Sequence, residues 1–133
     1  MEGRKGFARV LDLYDAQDNV IATLQKKTWT WHYTYNILQG DKLLAQVVRQ
    51  GTFRPKFQVS GFGWNVEGNF GGREYVISSP EEIIATIHWS MKGLKDRYQV
   101  DIPNPANELG ALLVVLAIDC IVADQAAAAA AAT

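Results

Sequence analysis

An apolar stretch near the C-terminus constrains this chain more than any other feature. Residues Leu109 to Ala123 read LGALLVVLAIDCIVA, a helix-length run that carries one carboxylate, Asp119. A helix that is apolar all round must be surrounded on all sides. Strand signals dominate the preceding chain, so we expect a mainly β protein with one helix. The predicted architecture is an antiparallel β-barrel that encloses the hydrophobic C-terminal helix.

Short alternating segments separated by turn residues predict about nine strands before this helix. The clearest alternation places Trp29, Trp31, Tyr33, Tyr35 and Ile37 on one face, which predicts a strand with one buried face. Hairpin-length links between the strands predict an antiparallel meander. The predicted strands cover residues 7–14, 20–26, 29–37, 43–49, 57–60, 64–70, 74–78, 83–92 and 97–102.

Residues 1–125 are predicted to form a single domain, followed by a tail, residues 126–133, of seven alanines and a threonine. Alanine favours helix, so the tail either prolongs the helix or is foreign to the natural sequence. The net charge of −1 creates no strong field, so we expect no nucleic-acid partner. The single cysteine, Cys120, excludes an internal disulfide and fits a cytoplasmic location.

A membrane-spanning helix is the alternative interpretation of the apolar stretch. Spanning a bilayer takes about 20 apolar residues, whereas Leu109 to Ala123 is shorter and contains Asp119. An aspartate at mid-helix costs about 2.5–3.5 kcal/mol on insertion. We therefore expect a helix buried in protein, not a transmembrane one, with Asp119 accepting hydrogen bonds from backbone N–H groups or from a barrel side chain.

Five segments in the second half of the chain resemble the LURP-one-related family: Gly68-Asn69-Phe70, Tyr75-Val76-Ile77, Ile83–Ile87, Tyr98-Gln99-Val100 and Leu112–Ile121, which ends in AIDCI. The resemblance is strongest over residues 64–122 and weaker over 7–60. It implies the tubby-like C-terminal fold, shared with phospholipid scramblases, in which a closed barrel of ideally twelve strands surrounds a C-terminal helix. With about nine predicted strands, either the first strands are missing or the barrel is partly open and exposes an edge.

No residue set in the sequence predicts catalysis. Motifs of serine hydrolases, P-loop nucleotide binders and zinc proteases are missing from the sequence. His32 and His88 fall on separate predicted strands, where solvated histidines are commoner than ligands or bases. Asp15, Asp18 and Asn19 lack the spacing of a calcium loop and predict a turn. We therefore expect no enzyme, no catalytic residue, no bound metal and no cofactor.

Basic residues near predicted strand ends are the one positive functional signal. Lys26, Lys27, Arg49, Arg54 and Lys56 could converge on a phosphorylated head group, or could form a solvated basic rim. Tubby-like proteins are associated with phosphoinositides, so the resemblance implies a non-enzymatic binding or regulatory module for phosphoinositide or other phospholipid head groups. Its partner would be an anionic phospholipid or a protein, and its location cytoplasmic or peripheral to a membrane. The alternatives are a scramblase-like lipid-handling protein and a small-molecule enzyme that uses the barrel mouth.

Overall fold

The described residues form an antiparallel sheet followed by one long helix. The computed structural model describes residues 7–27, 32–51, 56–70, 73–92 and 95–131. A short 3₁₀ turn, Pro105–Asn107, leads into helix α1, Glu108–Ala131. This confirms the predicted mainly β fold with one C-terminal helix. The strands are β1 Phe7–Tyr14, β2 Val20–Lys27, β3 Thr34–Gln39, β4 Lys42–Gln50, β5 Lys56–Ser60, β6 Trp64–Asn69, β7 Glu74–Ser78, β8 Ile83–Lys92 and β9 Lys95–Asp101.

The sheet is open. Each strand pairs antiparallel with its neighbours in sequence, so the order runs from β1 to β9 and these two strands are the edges of the described sheet. The closed ring implied by the family resemblance is therefore wrong for the described residues, and the partly open alternative is the one observed. The closing contact would need β1 and β9 to pair with each other or with further strands.

The sheet curls around the helix. Every strand from β2 to β8 contributes side chains to one hydrophobic core, together with α1. Laid flat, these strands would be roughly 30 Å wide at about 4.8 Å per strand. A helix with its side chains is only about 10–12 Å across. A single core shared by these elements therefore requires a strongly curved, barrel-like sheet.

Strand β3 departs from the predicted pattern of one buried face. Tyr35 and Ile37 point into the core as expected, and residues 29–31 of the predicted alternation lie outside the described residues. Thr34 and Asn36, on the opposite face, are also buried. Asn36 accepts a 2.9 Å hydrogen bond from the Gln46 amide on β4. Side chains of neighbouring strands thus cover the outer face of β3, which a pattern within one strand does not reveal.

The helix begins where the sequence predicts and extends further. Asn104 caps the 3₁₀ turn by accepting a 3.0 Å hydrogen bond from the backbone N–H of Ala106, and Glu108 lies in the first turn of α1. The helix continues through the alanine tail to Ala131. Its buried residues all fall in the predicted apolar stretch: Ala111, Leu113, Val114, Val115, Ala117, Ile118 and Ile121.

One side of the helix is less covered than the rest. Leu109 and Leu112 are each 38% exposed, and Leu116 and Cys120 are half-buried. These positions follow one another at spacings of three and four residues and so form a stripe along the helix. The segment Pro105–Ala131 is also long and apolar enough to cross a membrane by length and composition, a property it shares with core helices of soluble proteins.

Two turns between strands are well defined, and the second of them confirms a predicted turn. Gly61-Phe62-Gly63 links β5 to β6, with the N–H of Gly63 donating to the carbonyl of Val59 at 3.1 Å. Gly61 has a φ of +96°, and a side chain there would collide with the Leu44 carbonyl. The two glycines of this sequence therefore allow the tight turn between β5 and β6.

The second turn connects β1 to β2 around Asp15. Its carboxylate accepts hydrogen bonds from the backbone N–H groups of Gln17 and Asn19, at 2.8 and 2.9 Å. These bonds, the one from Asn19 above all, lower the pKa of Asp15. The carboxylate is thus occupied by its own turn, as the departure from calcium-loop spacing predicts.

The position of the helix inside the sheet generates a stability prediction. Leu113 is 1% exposed, whereas Leu112 next to it is 38% exposed. Leu113→Ala should lower the free energy of unfolding by about 2–5 kcal/mol because it leaves a cavity in the core. Leu112→Ala, the matched control, should change it by less than about 1 kcal/mol. Urea unfolding followed by circular dichroism measures both, and equal small losses would place the helix outside the core.

Candidate functional site at the basic end of the sheet

Four predicted site residues lie at one end of the sheet, called here the basic end. Lys26 and Lys27 end strand β2, Arg49 lies next to the last residue of β4, and Lys56 begins β5. Because neighbouring strands are antiparallel, the end of β2, the end of β4 and the start of β5 share one edge of the sheet. The fifth predicted residue, Arg54, lies outside the described residues.

Strand register divides these cations between two faces. Lys26 is opposite Tyr35 and Arg49 is opposite Phe57, and both partners belong to the core, so Lys26 and Arg49 share the inner face. Lys27 follows Lys26 and Lys56 precedes Phe57, so both of these lysines lie on the outer face. Strands β2 and β4 are separated only by β3, so they lie roughly 10 Å apart. The structure thus groups the predicted cations around the rim of one end.

Two of the lysines already have carboxylate partners. The Nζ of Lys56 lies 3.6 Å from Glu67 on β6, with both side chains more than half exposed. The Nζ of Lys26 lies 3.3 Å from Oδ2 of Asp124 on α1, with side chains 40% and 25% exposed. Exposed ion pairs of the first kind contribute about 0–1 kcal/mol, so a competing anion can replace Glu67. Lys27 is exposed, and no carboxylate partner is seen for it among the described residues.

Arg49 has spare hydrogen-bonding capacity. Its Nη1 donates to the carbonyl of Gly51 at 3.0 Å, and its backbone N–H donates to the carbonyl of Tyr33. Its buried Nε has no hydrogen-bond acceptor among the described residues. A guanidinium carries five N–H donors and binds phosphate and carboxylate in a forked geometry. Arg49 is therefore the cation of this end best suited to a phosphate oxygen.

A polar contact at the basic end ties the helix to the sheet. The hydroxyl of Tyr35, a residue only 1% exposed, donates to Oδ2 of Asp124 at 2.8 Å, and the same oxygen faces the Lys26 ammonium. The sequence suggested Asp119 for such a role. Asp119 is half-buried in the helix, and Asp124, which follows the apolar stretch, makes the contact with Tyr35 and Lys26. Because Asp124 follows the apolar stretch, no sequence pattern indicated that it would contact the sheet.

Burial is the main cause of the raised pKa values of Tyr35 and of the nearby Cys120. Burial, followed by the hydrogen bond to Asp124, raises the pKa of Tyr35 far above that of a free phenol. Burial also raises the pKa of the Cys120 thiol, and the carboxylates of Asp124 and Asp119 add to this shift. A raised pKa lowers the thiolate fraction at neutral pH and with it the reactivity of the sulfur. Both groups are thus neutral at physiological pH.

The two histidines do not form a common site. His88 on β8 contacts Glu74 through Nδ1 at 2.8 Å, with both side chains more than half exposed. His32 precedes β3, which is separated from β8 by four strands in the sheet order, and its carbonyl accepts a hydrogen bond from Thr34. Within the described ranges, no group of three or more His, Cys, Asp or Glu residues could hold a metal ion.

Comparison with known proteins points to one family. The model of the LURP-one-related family matches residues 1–119. The chain is also similar to the uncharacterized protein YxjI of Bacillus subtilis (strain 168), with 21% identity over 112 residues, or 84% of this chain and 69% of that protein. No solved structure matches the chain.

The Tyr35–Asp124 contact predicts alkaline sensitivity. Since the folded pKa of Tyr35 is raised, its contribution to stability is complete below about pH 10, the value of an unfolded tyrosine, and is lost as the pH rises above it. Tyr35→Phe should cost about 1–2 kcal/mol at pH 7 through the lost hydrogen bond. Urea unfolding from pH 7 to 11.5 should show the difference between wild type and variant shrinking above pH 10.

The exposed Tyr14 supplies the control for this measurement, since it is 55% exposed. Tyr14→Phe should leave the free energy of unfolding within about 0.5 kcal/mol of wild type at every pH. A wild-type advantage over Tyr35→Phe that stays constant up to pH 11.5 would contradict the proposed role of the phenol.

Proposed function

Because this chain belongs to the LURP-one-related family, we propose that it is a non-enzymatic binding module that sets its basic end against anionic phospholipid head groups. The observation that carries the proposal is the grouping of Lys26, Lys27, Arg49 and Lys56 at one end of the sheet. The end of a curled sheet presents its inner and outer rims to the same plane. A membrane surface can therefore meet all four cations, although strand register divides them between two faces.

Electrostatics supports this orientation. A Lys or Arg close to an anionic leaflet contributes about 1 kcal/mol to membrane binding. Lys27 and Arg49 have no carboxylate partner among the described residues, and the exposed Lys56–Glu67 pair is weak enough to be exchanged. Lys26 differs, because its ammonium helps to hold Asp124 and so has a structural role as well. The expected contribution to binding is thus largest for Lys27, Arg49 and Lys56.

Arg49 supplies the specificity that the lysines lack. A lysine ammonium acts on a phosphate as a point charge, whereas a guanidinium offers a rigid fork of donors. Arg49 lies on the inner rim, where Lys26 is also found. A phosphorylated head group contacted by this rim would accept hydrogen bonds from Arg49, with Lys27 and Lys56 neutralising the surrounding leaflet. The module would then act in the cytoplasm as a peripheral membrane protein.

Sedimentation with liposomes tests the proposal. Vesicles of phosphatidylcholine with phosphatidylserine or a phosphoinositide should bind the protein, and binding should weaken as salt rises. Lys27→Glu, Arg49→Gln and Lys56→Glu together should reduce the partition coefficient by at least about a hundredfold, since three cations are lost at about 1 kcal/mol each. Lys26 is left unchanged because its substitution would also disturb Asp124.

Lys42 provides a matched control. It is an exposed lysine at the opposite end of β4, so Lys42→Glu changes the net charge without touching the basic end. Its binding should stay within about threefold of wild type if orientation matters. Equal losses for Lys42→Glu and Lys27→Glu would show only a net-charge effect, and no binding to any anionic vesicle would refute the proposal.

A further inference from the structure

A cleft at the end of the sheet opposite the basic end has no role in head-group binding. It holds about 280 Å³ and opens where the helix begins, between the first turn of α1 and the ends of strands β3 to β6. Gly110 lies at the cleft and Asp124 at the basic end, which are roughly 21 Å apart along the helix at about 1.5 Å per residue. A ligand of this cleft would therefore be independent of the lipid contact.

The cleft is mostly apolar. Leu113, only 1% exposed, and Trp64, 8% exposed, form its deeper part. Phe62 packs against Trp64 with ring centroids 4.7 Å apart and planes tilted by 44°. Leu109 borders the cleft and is 38% exposed, so an apolar surface is left in contact with water at this point. Covering that surface with a ligand is favourable in proportion to the apolar area removed from water.

Gly110 sets the shape of the cleft. A Cβ atom at this position would lie 3.1 Å from Cη2 of Trp64 and 3.3 Å from Cε2 of Phe62. The absence of a side chain lets the first turn of the helix approach the aromatic pair closely. A glycine inside a helix is unfavourable by about 1 kcal/mol relative to alanine. The close approach of the helix to Trp64 and Phe62 therefore depends on a residue that weakens the helix, and packing elsewhere must offset this cost.

The polar groups at the cleft are neutral. Gln39 at the end of β3 and Asn107 before the helix contribute amide side chains, and none of the described residues that line the cleft carries a charge. An amide can donate and accept hydrogen bonds with an uncharged partner. An ionised ligand would lose its hydration without gaining a counter-charge, which is strongly unfavourable. The volume lies just below the usual range of ligand pockets, about 300–1,000 Å³, and so limits the ligand to a small molecule.

We infer that this cleft binds a small, uncharged, mainly apolar molecule that carries one hydrogen-bonding group. The apolar part would rest on Leu113, Trp64 and Leu109, and the polar group would meet the amides of Gln39 and Asn107. A short alkyl chain and an aromatic ring of similar size share this chemistry. Octanamide serves as the alkyl probe and indole as the aromatic probe. Octanoate, the charged counterpart of octanamide, tests whether the ligand must be neutral.

Fluorine NMR of the full chain tests the inference. The four tryptophans, labelled with 5-fluorotryptophan, give separate signals, and Trp64→Phe assigns the signal of Trp64. Octanamide or indole should shift the Trp64 signal in a saturable titration and leave that of Trp89, on β8, in place. Octanoate should bind at least about tenfold more weakly than octanamide. Equal binding of octanoate and octanamide would overturn the assignment of an uncharged ligand.

Two helix residues of equal exposure supply the variants. Leu109 borders the cleft and Leu112 does not, although both are 38% exposed. Leu109→Gln should weaken binding of the better probe about fivefold by removing apolar contact, while Leu112→Gln should change it less than twofold. Equal effects of the two substitutions, or no saturable shift with octanamide and indole, would refute the site. Neither result would bear on the liposome measurements, which concern the other end of the sheet.

Discussion

Burial of the apolar face of α1 is the constraint on which the rest of the structure depends. Leu113, Val114 and Ile118 are at most 1% exposed, and fully burying side chains of this kind contributes about 1.5–3 kcal/mol each. One helix cannot reach every strand of a flat sheet, so burial on this scale requires the sheet to curl. The curl in turn separates the molecule into two ends. The basic end and the apolar cleft are both consequences of a helix placed inside a sheet.

The polar contact at one end complements this apolar packing. Hydrophobic burial is not directional, so a helix that is apolar all round could rotate or slide with little change in free energy. The hydrogen bond from Tyr35 to Asp124 depends on distance and angle, and the Lys26 ammonium faces the same carboxylate. At the other end, the close fit of Gly110 against Phe62 and Trp64 limits sliding. Hydrophobic burial alone would not fix the rotation and translation of the helix. The specific contacts at its two ends do so.

Local sequence patterns predicted the elements but few of the contacts between them. The strand ranges, the turn at Asp15 and the apolar helix follow from periodicity and turn chemistry, which act over a few residues. Tyr35 and Asp124 are 89 residues apart, so nothing in either neighbourhood announces their contact. The burial of Asn36 depends on Gln46 of the next strand. The grouping of the cations could be predicted because hairpin links fix which strand ends are adjacent, whereas their division between two faces depends on the observed register.

The two edges of the open sheet carry features that discourage intermolecular strand addition. An unpaired edge is a template for another chain, and natural sheets protect such edges with bulges and charged side chains. The ladder between β1 and β2 shifts register twice, between Arg9 and Leu11 and again between Leu13 and Tyr14, which interrupts the regular spacing of donors and acceptors. Strand β9 has the sequence KDRYQVD, with a charged residue at four of its seven positions. The irregular ladder at β1 and the charged sequence of β9 therefore both oppose the addition of a strand from a second molecule at the edges of the described sheet.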